Sequence, residues 1–158
     1  LVQAPGTRGR VPYGNTTERG SFEYVYVKNT TGAALPAGTV VAIDDAATGS
    51  FTYDVVAAAV GDSSFRAVGV VQAGGIADVS AGWVVARGVV STIIDSAAAV
   101  DVICSTPLAA GAAGALDAWN ITATTGHPDL GCEVVAQTLE AKAATIAGQA
   151  LCRVNFVA

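Results

Sequence analysis

The sequence predicts an all-β protein: a small β-barrel or β-sandwich of short strands with an extended N-terminal arm. Three observations predict it. The chain holds 23 Val, 15 Thr and 7 Ile among 158 residues, and β-branched side chains suit a pleated, half-buried surface. Apart from 32 Ala, the good helix formers are scarce, with 7 Leu, 4 Glu, 2 Lys and no Met. Finally, short apolar runs recur along the chain with Gly, Asp and Ser between them, the spacing of a sandwich or barrel.

Composition also bounds function. Hydrophobic residues make up 52% of the chain and charged residues 13%, which excludes a disordered chain. A net charge of −5 lacks the positive footprint of a nucleic-acid binder, so no nucleic-acid partner is expected. No apolar run approaches the ~18 residues of a membrane-spanning helix, and no membrane partner is expected. A compact chain this long buries roughly 70% of its unfolded surface, enough for a core without disulfides or metal. So few charges on so apolar a chain imply that much of the surface meets other protein. The chain opens on Leu1, which reads as a processed or truncated start. Residues 1–20 lack the apolar core of a signal peptide.

Those first twenty residues, LVQAPGTRGRVPYGNTTERG, hold two Pro, four Gly and no apolar periodicity. Three Arg against one Glu give them a charge of +2, while residues 21–158 carry −7. A basic, turn-rich arm therefore precedes an acidic body. A frayed terminus is one reading; an extended arm that lies on a neighbouring subunit is the other.

The body begins at residues 21–28 (SFEYVYVK), the clearest strand signal. Phe22, Tyr24 and Tyr26 alternate with Val25 and Val27, so the aromatics share one face. Asn29-Thr30-Thr31-Gly32 reads as a turn. Residues 38–43 form the next strand, ended by Asp44-Asp45, and Phe51, Tyr53 and Val55 alternate in a third. Further β-like runs cover 66–73, 83–92, 100–104, 119–124, 133–138 and 150–157. The Gly/Ala-rich segment 107–118 reads as a loop, and 139–147 as one or two helical turns. An internal echo runs through these strands. Residues 81–90 (AGWVVARGVV) align with 147–156 (AGQALCRVNF), placing Arg87 on Arg153. Val70-Val71 precedes the first copy as Val134-Val135 precedes the second, and Ala37-Gly38-Thr39-Val40-Val41 is a shorter third. The expectation is a repeated strand–loop–strand unit that closes a barrel or two facing sheets.

No catalytic constellation emerges. His127 is the single histidine; it lies in a turn-like stretch beside Asp129 and Cys132, without a nucleophile motif around it. Cys104, Cys132 and Cys152 show no CxxC or Cys/His spacing, so zinc is not expected and they read as buried thiols. An odd count leaves at least one unpaired within the chain. Asp44, Asp45 and Asp54 do not have the spacing of a calcium loop, and no phosphate-binding loop is present. Three Asn-x-Thr triplets, at Asn15, Asn29 and Asn120, read as turns and strand ends. Trp83 and Trp119 are of the residue type that stacks on sugars; Trp83 opens an apolar strand, which favours core or interface packing. The expectation is a protein that is not an enzyme and carries neither cofactor nor metal.

The remaining pattern resembles the capsid decoration (cement) proteins of tailed bacteriophages, and more broadly small β-rich virion structural proteins. The resemblance rests on VKNTTGAALPAGTVVAID at 27–44, on AVGVVQAGGIADVSAGWVVARGVV at 67–90, and on the C-terminal echo ending Cys152-Arg153-Val154-Asn155-Phe156-Val157. It implies a virion protein made in the host cytoplasm that docks on the outside of an icosahedral capsid. The major capsid protein would be its partner, and it would form a homo-oligomer, a trimer being favoured. No catalytic residue is implied. Arg8, Arg10, Tyr13, Arg19 and Trp83 are the candidate contacts to capsid or subunit, since Arg makes planar, multidentate contacts. The alternatives are another phage structural role (tail tube, head fibre or major head component) or a carbohydrate- or cell-surface-binding β module.

Overall fold

The structure is a computed structural model. It describes residues 4–12, 21–45, 53–59, 66–94, 107–118, 136–140 and 148–156. Over these residues the protein is all-β, with ten strands in one mixed sheet. They are β1 (Arg8–Pro12), β2 (Ser21–Asn29), β3 (Val40–Ile43), β4 (Asp54–Ala57), β5 (Ala67–Val71), β6 (Ala81–Ile94), β7 (Pro107–Ala110), β8 (Leu116–Ala118), β9 (Ala136–Thr138) and β10 (Gly148–Asn155).

The pairings close two rings that share β6. In the first, β2 pairs with β4, β4 with β3, β3 with β5, β5 with β6, and β6 back with β2. In the second, β6 pairs with β8, β8 with β7, β7 with β9, β9 with β10, and β10 back with β6. The order and direction are the same in both. The first strand of each ring meets the third in parallel, and every other contact is antiparallel. A third correspondence follows: β1 pairs antiparallel with β2 as β5 does with β6 and β9 with β10. The two stretches that echo in sequence fall on β6 and β10, which pair with Arg87 opposite Asn155 and Arg153 opposite Val89.

Two cores follow from the two rings. Val25, Val27, Val41, Val55, Val68, Val71, Val84 and Ala86 fill the first ring. Ile94, Leu108, Ala110, Leu116, Ala136, Ala150, Cys152, Val154 and Phe156 fill the second, together with Val40, Ala42, Ala67, Val70 and Val85 from the opposite face of β3, β5 and β6. The β3–β5–β6 wall is therefore buried on both sides, and β5 reads buried at all five positions instead of alternating. Such a wall requires small side chains on both faces, which accounts for the Ala and Val content. Gly69 belongs to it: a Cβ there would sit 2.7 Å from the Val85 carbonyl oxygen. The rings are also tied by backbone bonds, from the Ile93 N–H to the Gly38 carbonyl, the Gly114 N–H to Ala58 and the Phe156 N–H to Ala86. Gly38, at φ +88°, occupies the third position of a turn in which the Thr39 N–H donates to the Pro36 carbonyl, where φ > 0 is required.

One expectation needs correction. Segment 107–118 is not a loop; it is the β7–β8 hairpin around a tight turn at Ala112–Gly114, in which Ala113 and Gly114 both have positive φ. Its Ala-rich strands gain their conformation from pairing with β9 and β6, since strand preference is set by context more than by residue type. Within the N-terminal arm, Arg8–Pro12 runs extended as a strand against β2, whose edge supplies its hydrogen bonds. The expected runs at 100–104 and 119–124, the bulk of the 139–147 turns, Val134-Val135, Trp119, Tyr13, Arg19, His127, Cys104 and Cys132 lie outside the described residues.

Candidate functional site

The aromatics of β2 share one face, as their alternation predicts, and that face lies outside the first ring. Val25 and Val27 point into the ring core, so Tyr24 and Tyr26 point out and are half-buried. On the neighbouring strand, Trp83 stands opposite Tyr26. The Trp83 ring packs edge-on to both tyrosines, with centroids 5.1 Å from Tyr26 and 6.4 Å from Tyr24. Phe22 extends the row, 5.8 Å from Tyr24. Aromatic pairs in such tilted and T-shaped arrangements each add about 0.5–1.5 kcal/mol beyond burial.

Beside this row lies a largely apolar cleft of about 410 Å³, lined among the described residues by Gly9, Tyr24, Gln72 and Trp83. Gly9 stands opposite Tyr24. A Cβ there would lie 3.8 Å from the Trp83 ring, so the indole reaches over β2 to the arm. The side-chain amide nitrogen of Gln72 is buried at this cleft and makes no hydrogen bond among the described residues. A hollow of about 180 Å³ also reaches Arg8, Glu23, Val25 and Ala86.

The structure thus sets β1, the strand that carries Arg8 and Arg10, beside β2 and within reach of Trp83 through Gly9, while the register places the two arginine positions on the face of Glu23 and Val25 and not on that of the aromatic row. Arg8 is exposed, opposite Val25, and Arg10 stands opposite Glu23. Sequence reasoning missed Tyr24, Tyr26 and Gln72 as members of the site. The shared face of Tyr24 and Tyr26 was visible, but not that it lies outside the first ring, with Phe22 and Tyr24 packed against the second core. Gln72 gave no signal.

Other chemistry-bearing residues are occupied structurally. Asp45 pairs with Arg66 at 2.8 Å, and Asp44 accepts from the Thr30 hydroxyl at 2.9 Å. Arg87 donates through Nε to the Asn155 side-chain oxygen at 2.7 Å and lies 3.6 Å from Glu23. Cys152 is a buried free thiol, pushed up to about 11 by loss of solvent. Among the described residues, no three His, Cys, Asp or Glu side chains gather to hold a metal. Nor is any helix there long and apolar enough to cross a membrane. In comparison with known proteins, no family model and no curated protein matches the chain.

Proposed function

We propose that this protein is a virion structural protein that docks on the outer surface of an icosahedral capsid, against the major capsid protein, and stabilises the shell by bridging neighbouring subunits. The observation that carries the reading is the half-buried Tyr24–Tyr26–Trp83 row beside the arginine-bearing strand β1. It is an adhesive surface: the aromatic row gives area for contact, and Arg8 is exposed on the adjoining strand, on the face that Val25 shares. Burial of such a surface yields roughly 25 cal/mol per Å² before association costs, so many weak copies strengthen a shell. The protein would act as a homo-oligomer, with a trimer favoured, on a capsid assembled in the host cytoplasm.

Co-sedimentation with emptied heads of the cognate phage tests this. Intact protein is expected to pellet with heads, while protein lacking residues 1–20 remains folded and binds more weakly. Equal binding by the truncated protein would remove the arm from the proposal, and failure of intact protein to pellet would refute the docking role. The Trp83–Tyr24 cleft also favours a carbohydrate-binding module. Glycan-array binding by purified monomer would select that reading.

A further inference from the structure

The duplicated strand order gives each strand a role that can be compared between units. In the role of fourth strand, β5 has β6 on one edge and β3 on the other. In the same role, β9 has β10 on one edge and β7 on the other. β1 is the third holder of this role, paired with β2 as β5 is with β6. Among the described residues its other edge has no strand.

We infer that β1 is the receiving edge of a half-built third ring, completed by an extended segment of a partner protein that pairs antiparallel with β1 and alternates apolar with acidic residues. The inference follows from strand order and does not depend on the capsid reading.

Several observations define that occupant. Its direction follows from β3 and β7, which pair antiparallel with β5 and β9. Its hydrogen bonds follow from register. The Tyr26 N–H donates to the Thr7 carbonyl, so alternate residues of β1 turn their backbone groups outward: Arg8 and Arg10. Pro12 lacks an N–H and ends the usable edge. The apolar positions follow from the cleft at Gly9, Tyr24 and Trp83, which lies where a completed ring would enclose its core. Gln72 adds a buried, unbonded N–H there, suited to a peptide carbonyl. The acidic positions follow from the exposed Arg8 and from the two positive charges in the sequence of β1, which also disfavour a second copy of β1, because antiparallel self-pairing would bring like charges together.

The test uses the full chain and two capped heptapeptides, one alternating valine with aspartate and the other valine with lysine. Amide hydrogen exchange by NMR reads the edge directly. A Trp119→Phe variant makes Trp83 the single indole for a fluorescence titration. The aspartate peptide is expected to slow exchange at the Arg8 and Arg10 amides by about tenfold or more and to shift Trp83 emission. The lysine peptide is expected to bind at least about tenfold more weakly. The exchange measurement stands alone if the tryptophan variant folds poorly. Unchanged exchange with the aspartate peptide, or equal binding of both peptides, would overturn the proposal. Protection that rises with protein concentration alone would assign the edge to a second copy. A Trp83 response to sugars without amide protection would assign the cleft to carbohydrate. Either result would overturn the partner named here.

Discussion

Asn29 is fully buried, and its side chain makes a dense set of hydrogen bonds. Its Nδ2 donates to the carbonyls of Ala33 at 2.7 Å and of Ile76 and Ala77 at 3.2 Å. Its Oδ1 accepts from the Thr31 N–H at 3.0 Å and the Thr31 hydroxyl at 2.7 Å. The residue thus fastens the turn after β2 to the chain before β6. Asn29→Ala leaves buried carbonyls unsatisfied and should cost about 2–4 kcal/mol by urea denaturation. Asn29→Asp turns a carboxylate toward three carbonyls and should cost at least as much. The sequence offered Asn29 only as the start of a turn; its role depends on carbonyls more than forty residues away. Cys152 permits a pH prediction. Loss of solvent, opposed by a hydrogen bond with Thr92 and aided by the Glu140 charge, raises it from 9.0 to about 11. Between those values the unfolded thiol ionises and the folded thiol does not. Stability present below pH 9 should therefore fall as pH rises toward 11, by about 3 kcal/mol at most. Cys152→Ala should abolish that slope in denaturation curves recorded from pH 8 to 11, and the native thiol should resist alkylation at neutral pH.

At the scale of elements, the decisive feature is the close approach of β5 to β6. Gly69 lies beside a register shift in the β3–β5 pairing, at Val41/Ala42. A Cβ on it would meet the Val85 carbonyl oxygen at 2.7 Å and a Val84 methyl at 2.9 Å. The first contact is backbone, so relief requires β5 to move away from β6 and loosens both cores. Gly69→Ala should cost about 2–3 kcal/mol. Gly9→Ala is the matched control: its Cβ meets only the Trp83 ring, at 3.8 Å, and the change should stay within about 0.5 kcal/mol. Urea denaturation of the two variants checks both. Strands β2, β3, β5, β6 and β10 were legible because their own apolar residues carry the signal. The β7–β8 hairpin was not, since Leu108, Ala110 and Leu116 become core only once β9 and β6 stand beside them. β1 was hidden for the same reason: RGRVP is a strand because β2 presents an edge. The candidate site was half legible. Trp83 and the arm were identified separately, but the approach of β1 to Trp83 through Gly9 depends on β1–β2–β6 adjacency, which no local pattern encodes.

At the scale of the whole molecule, a shared wall makes two rings one cooperative unit. Val40, Ala42, Ala67, Val70 and Val85 face the second core while their strands enclose the first. β6 spends its first half on β2 and β5 and its second half on β10. Gln149 adds a link by donating to the Ala37 carbonyl at 2.8 Å while accepting from the Ser91 hydroxyl at 2.9 Å. The second ring therefore cannot open without exposing one face of the first. The full chain should unfold in a single transition, with circular dichroism and tryptophan emission superimposing. A fragment of residues 1–94 contains every pairing of the first ring. It nevertheless leaves the outer face of the wall and the last eight residues of β6 uncovered. It should bind a hydrophobic dye, associate in solution and lose the sharp transition. A monomeric fragment with a cooperative melt would show that the first ring is self-sufficient and that the wall does not couple the two cores.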